Sequence, residues 1–143
     1  MQIEIATHAN DELYEAFQRL IPQLTQNNQP PSHDLLNALI ADSSSILLLA
    51  REDESNYIVG TLTLIIYKVP TGIRSIVEDV VVDLSARGKG VGEALLQKAV
   101  EIAKEKEARN ISLTSNPQRV AANQLYMKLG FTRRETNSYK MEL

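Results

Sequence analysis

The chain points to a mixed α/β domain with a partly parallel sheet, and three features carry that expectation. The run SIVEDVVVD at residues 75–83 is dense in β-branched residues, the composition of a buried central strand. An amphipathic stretch follows, with Leu95, Leu96, Ala99, Val100, Ile102 and Ala103 on an apolar stripe and Lys98, Glu101, Lys104 and Glu105 on other faces. A second strand-like run, ISLTS at 111–115, comes next, and a strand, helix, strand order of this kind makes 77–82 and 111–115 a parallel pair joined by a helical crossover.

The remaining elements fall in place around this unit. Residues 3–6 alternate like a short strand, and Asn10 or Asp11 can cap a helix carrying Leu13, Phe17, Leu20 and Leu24 at helical spacing, which Pro22 should distort or end. The polar stretch TQNNQPPS at 25–32 reads as a loop. Ser32 then caps a short helix with Leu35, Leu36, Leu39 and Ile40 inward. Residues 46–51 and 57–67 are strand-like and flank the charged turn REDESN, which suggests an antiparallel hairpin; the loop KVPTG leads on to the central strand. A helix over 118–129 stops at Gly130, and FTRRETNSYKMEL at 131–143 reads as a short final strand. The expected order is β, α, α, β, β, β, α, β, α, β, without repeats or an interdomain linker, as one domain over 1–143.

Composition narrows the function. A 143-residue chain, 43% hydrophobic, is the size of one core. Its net charge of -3 gives no basic footprint for nucleic acid. With no cysteine there is no disulfide, thiolate ligand or thiol nucleophile, so oxygen and nitrogen groups must do any chemistry. The N-terminus lacks signal-peptide order and no apolar run is long enough to span a membrane, so the expected location is cytoplasmic. His8 and His33 are far apart, and no metal is expected.

The most informative stretch is ARGKGVGEALL at 86–96. A nucleotide P-loop fails because no Lys-Ser or Lys-Thr follows a glycine. The dinucleotide fingerprint fails because its third glycine would fall on Glu93 and no acidic residue ends the next strand. What matches is R-x-x-G-x-G, as Arg87, Gly90 and Gly92, opening an uninterrupted helix: an anion site in which backbone N–H groups meet a pyrophosphate and glycines allow close approach.

A second motif follows the next strand. AANQLYMKLGF at 121–131 holds Leu-Tyr-x-x-x-Gly-Phe, and in motif, order and spacing residues 75–131 resemble the acetyl-CoA-binding core of the GNAT superfamily of N-acyltransferases. The resemblance implies a GNAT-type mixed sheet with a splayed central parallel strand pair and flanking helices, and acetyl-CoA (coenzyme A) as cosubstrate. Its pantetheine would lie beside the central strand at Val80, Val81 and Val82. The pyrophosphate would lie over Arg87, Gly88, Lys89, Gly90, Val91, Gly92 and Glu93, with Ser115, Arg119 and Asn123 as further cofactor contacts. Tyr126 would act as the acid that protonates the departing thiolate. The acceptor amine must lose a proton, and Glu78 is the favoured base or relay with Asp79 as the alternative; strand alternation sets their side chains on opposite faces. Many relatives carry an asparagine where this chain has Arg119, so Arg119 either contacts the cofactor or favours an anionic acceptor.

The implied reaction is direct acetyl transfer in a ternary complex to a primary amine of a small molecule. Alternatives are acetylation of a protein N-terminus or lysine, and a non-catalytic acyl-CoA-binding regulatory domain. A homodimer is expected because the short last strand invites pairing with a neighbour's sheet.

Overall fold

Strand-forming residues from Ser45 onward build the middle of a five-stranded sheet. In the structure, a computed structural model describing residues 1–143, the chain forms two units, Met1–Leu113 and Thr114–Leu143.

The first unit contains β1 (Gln2–Ile5), α1 (Asp11–Leu24), α2 (His33–Ala41), β2 (Ser45–Arg51), β3 (Ile58–Val69), β4 (Gly72–Val82), α3 (Val91–Glu105) and β5 (Ile111–Ser112). The strands lie in the order β1-β2-β3-β4-β5. The first four pair antiparallel, and β5 joins β4 in parallel. Alternation along β2 sorts the layers. Leu47 and Leu49 join Leu13, Phe17 and Leu20 of α1 and Leu36 of α2 in one buried cluster. Leu48 and Ala50 point the other way, toward α3. Gly60 stands opposite Ala50 in register, and a Cβ there would come within 2.9 Å of Val91 Cγ1 and 3.2 Å of Leu95 Cδ1. Glycine at this point lets the first turn of α3 press onto the sheet.

The expected order holds up to the last strand. Asn10 and Ser32 are the residues that cap α1 and α2, and the REDESN hairpin forms as expected. α1 continues through Pro22 to Leu24. KVPTG is not a loop throughout: Lys68 and Val69 belong to β3, and Gly72 already begins β4. β5 is only two residues long, where five were expected, and it pairs with Ser75 and Ile76. The parallel neighbours are thus present, but their contact is confined to the first half of β4.

The second unit contains one helix, α4 (Val120–Lys128). The final strand expected at 131–143 does not form. Alternating side chains make a strand only where a neighbour supplies the ladder, and residues 132–143 are exposed and have none.

Candidate functional site

β4 leaves its parallel neighbour after Ile76, so its outer edge is bare from Val77 to Val82. The ladder with β3 shows which groups that edge presents. The Asp83 amide donates to the Val59 carbonyl at 2.8 Å, which makes the adjoining Val82–Gly60 pair one whose N–H and C=O turn away from the partner strand. Val82 therefore turns its amide toward the bare edge, and its carbonyl on that side accepts from Arg87 Nε. Val81 sends its side chain into the core beneath α1.

A β-bulge lies just before these valines. Thr63 opposes Glu78 while Thr61 opposes Val81, so three steps along β4 match two along β3. Asp79 takes up the extra residue at φ +50°, a left-handed conformation in which aspartate is better tolerated than most residues. Simple alternation, which the sequence suggested, breaks here. Residues directly opposed across a pair share a face, and Thr61 and Thr63 lie on the same face of β3. Glu78 is consequently on the same face as Val81, the side of α1 and α2, although an odd spacing of three would separate them. Glu78 and Asp79 are both exposed, and neither forms an ion pair; Arg74 instead donates to Thr71 Oγ1 at 2.7 Å. Partial desolvation pushes the Glu78 carboxyl above its ordinary value, and the neighbouring Asp79 charge pushes it further the same way.

Beyond β4 a short 3-10 turn, Leu84–Ala86, leads to the glycines. Gly88 and Gly90 have φ of +77° and +81°, and a Cβ at either would meet nothing within 4 Å. Glycine serves there for its left-handed backbone, and the space above it is open. Gly90 is the N-cap of α3 and supplies no capping side chain. Ala94 is the first α3 residue whose amide bonds within the helix, to the Gly90 carbonyl at 3.0 Å. The amides of Val91 and Gly92 therefore point out of the helix start without intrahelical partners. Arg87 donates through Nε to the Val82 carbonyl at 3.1 Å, which leaves its terminal nitrogens pointing elsewhere. Lys89 lines a pocket of about 300 Å³ together with Glu52, Asp53, Glu54 and Val59. Glu93 accepts from Gln97 Nε2 at 3.4 Å.

In the second unit, α4 ends in a Schellman motif. The Gly130 amide donates to the Met127 carbonyl and the Phe131 amide to the Tyr126 carbonyl, with Gly130 at φ +99°. This wrap brings the Phe131 ring edge-on to the Tyr126 ring, with centroids 6.1 Å apart. The Tyr-x-x-x-Gly-Phe spacing is thus a device that stops the helix and braces the tyrosine, which is buried. Asn123 donates through Nδ2 to the carbonyls of Asn116 and Arg119, at 3.0 and 2.9 Å. That fastens the loop leading into α4. Arg119 is the N-cap of α4, exposed and without a capping bond. Ser115 Oγ is buried with no hydrogen-bond partner, a polar atom suited to a ligand's donor or acceptor.

Within the first unit, an open strand edge and an uncapped helix start beside glycines fit the needs of coenzyme A, backbone partners for its amides and donors for its phosphates. Sequence reasoning did not find Arg19, Gln23 or Thr61. The Thr61 hydroxyl is buried without a partner beside the bulge. Arg19 and Gln23 reach residues 64 and 61 positions away, at Asp83 and Leu84. No local pattern announces contacts at such range.

Comparison with known proteins identifies the family and the fold. The profile of the acetyltransferase (GNAT) family matches residues 8–131. The glucosamine 6-phosphate N-acetyltransferase of Trypanosoma brucei brucei is 40% identical over 81 residues, 54% of this chain and 53% of that protein. Among solved structures, a transcriptional regulator from Bacillus halodurans is 28% identical with TM-score 0.79 over 99% of both chains. A probable acetyltransferase shares the fold at TM-score 0.86 and 24% identity, over 100% of this chain and 98% of that one. The matched stretches span 26% to 53% of the lengths of the curated relatives.

Proposed function

The chain belongs to the acetyltransferase (GNAT) family, and from that premise we propose that it moves an acetyl group from acetyl-CoA to the primary amine of a small molecule, by direct transfer in a ternary complex. The observation that carries the reading is the bare edge of β4 beyond Ile76, followed by the uncapped start of α3. The Val82 amide and the backbone of Val80 would bond the pantetheine amides as a strand bonds its partner, while Arg87 holds the Val82 carbonyl. The amides of Val91 and Gly92 would hold the pyrophosphate, with Arg87 and Lys89 adding charge. Ser115, Arg119 and Asn123 belong to the same proposal as contacts from the second unit.

A primary amine, protonated in water up to a pKa of about 10, must lose a proton before it can attack. Glu78, with its raised pKa, takes that proton directly or through water, and Asp79 keeps Glu78 basic. The amine nitrogen then bonds to the thioester carbonyl carbon, the carbon–sulfur bond breaks, and Tyr126 gives its phenolic proton to the departing thiolate; the nitrogen, positively charged once bonded, sheds its second proton through water, and that proton restores the Tyr126 phenol. The products are the amide and free CoA. With no cysteine in the chain, no thiol of its own carries the acetyl group.

The name of the trypanosomal relative supports an amino sugar phosphate as one acceptor class, and the exposed Arg119 is a suitable partner for the phosphate. A second reading, an acyl-CoA-binding regulator, draws support from the solved transcriptional regulator of the same fold. A cytoplasmic homodimer completes the proposal, but not through the expected final strand, which does not form; a single monomeric species by light scattering at micromolar concentration would refute the dimer.

The test is release of CoA thiol from acetyl-CoA against amino sugars and their phosphates, polyamines, amino acids and peptides. Turnover that falls about a hundredfold in Tyr126→Phe supports the enzyme. Tight CoA binding with no turnover would favour the regulator. The pH profile sharpens the role of Glu78. Because the base works only when ionised, kcat/KM falls as pH drops through the raised pKa. Asp79→Asn removes the like charge, lowers the Glu78 pKa and moves that fall to lower pH; an unmoved profile would deny Glu78 the role.

A further inference from the structure

The glycine segment has few side chains of its own to hold it, so its position must be set from its two ends, the start of α3 and the turn that begins at Asp83. Asp83 divides its carboxylate between two tasks. Oδ1 accepts from the Ser85 amide at 3.0 Å and hydroxyl at 2.9 Å, which closes the turn. Oδ2 accepts from Nε of Arg19, on α1, at 3.1 Å.

The rest of the Arg19 guanidinium is equally committed. Nη1 donates to the Tyr57 hydroxyl at 2.8 Å and Nη2 to the Ile58 carbonyl at 2.5 Å, while Cζ lies 4.1 Å from the centre of the Tyr57 ring. One planar group thereby joins α1, the start of β3 and the turn below the glycines. One helical turn later on the same face, Gln23 Oε1 accepts from the Leu84 amide at 2.9 Å, and its Nε2 donates back to the Arg19 carbonyl at 3.3 Å. α1 thus grips two successive residues of the turn.

Resting on the proposed function, we propose that Arg19, with Asp83 and Gln23, is a positioning group that presets the anion loop for acyl-CoA. A loop fixed before binding does not have to be ordered by the ligand, so the latch lowers the cost of binding without touching coenzyme A. Burial by itself would raise the Asp83 carboxyl; the Ser85 and Arg19 hydrogen bonds outweigh it and hold the group below its ordinary value. The latch is therefore charged at neutral pH.

The test uses the full chain and calorimetry with CoA, beside steady-state kinetics and thermal melts. Arg19→Met is expected to weaken CoA binding and raise the KM for acetyl-CoA about tenfold, with kcat nearly unchanged. Arg19→Lys, which keeps the charge but not the fork, should recover part of the loss, and Gln23→Ala should show a smaller loss in a mildly altered fold. Arg51→Met is the control. It breaks a comparable charged cluster with Glu4 and Glu12 in the same unit, and it should lower the melting temperature while leaving CoA affinity intact. Wild-type affinity in both Arg19→Lys and Gln23→Ala, or an equal loss in Arg51→Met, would overturn the latch. Failure of the unaltered chain to bind CoA would instead overturn the proposed function, and the latch with it.

Discussion

The helix starts of the sheet-bearing unit are of two kinds. α1 opens on Asn10, whose Oδ1 accepts the Leu13 amide at 3.0 Å, and α2 on Ser32, whose Oγ accepts the Leu35 amide at 3.1 Å. α3, with 15 residues the longest of the three, opens on Gly90 and has no cap. A side-chain cap contributes about 1 kcal/mol, so its omission at α3 is a real loss of stability. On the proposed function, the difference teaches how the fold would make an anion site. Amides that a capping oxygen would occupy would be left for a ligand, and the left-handed glycines leave open space above them.

The comparison can be broken most forcefully by giving α3 a negative group. Gly90→Asp sets a carboxylate where the pyrophosphate belongs, and like charges at contact should cost about a hundredfold in CoA affinity. Gly90→Asn, nearly the same shape and equally tolerant of φ +81°, brings a neutral capping oxygen to the same place and should cost less, so calorimetry of the pair isolates charge from capping and backbone strain. At α1 the expectation reverses. Asn10→Ala should lower stability by about 1 kcal/mol in a denaturant melt and leave CoA affinity unchanged.

The smallest expected effect concerns a helix end. α3 stops on Glu107 at φ +61°, where α4 uses Gly130 at φ +99°. Ala108 and Glu107 donate to the carbonyls of Ala103 and Lys104 in the same wrapped pattern. Glu107→Gly should therefore gain up to about 1 kcal/mol of stability without affecting binding, because it removes left-handed strain. A loss of stability would mean that the glutamate side chain holds the turn in some other way.

Much of this was legible in the sequence because its causes are local. A capping side chain and the amide it binds lie three residues apart, and the Schellman stop that braces Tyr126 is written within six residues, Tyr126 to Phe131. The mixed sheet was legible from alternation and from the β-branched run at β4. The bulge was not. Asp79 is left-handed because of how β4 registers against Thr61 and Thr63, and nothing in the residues around Asp79 encodes that register. The Arg19–Asp83 contact is hidden for the same reason. At the C-terminus, Tyr139, Met141 and Leu143 alternate as a strand should. Alternation tells which side chains would share a face, but not whether an edge is there to receive them.

The most direct measurement follows the backbone amides at the three helix starts, by NMR shift and hydrogen exchange, as CoA is added. The account predicts that the Val91 and Gly92 amides shift strongly and become protected, while Leu13 and Leu35, already bonded to their caps, stay as they were. CoA binding that leaves the α3 amides unmoved would contradict it.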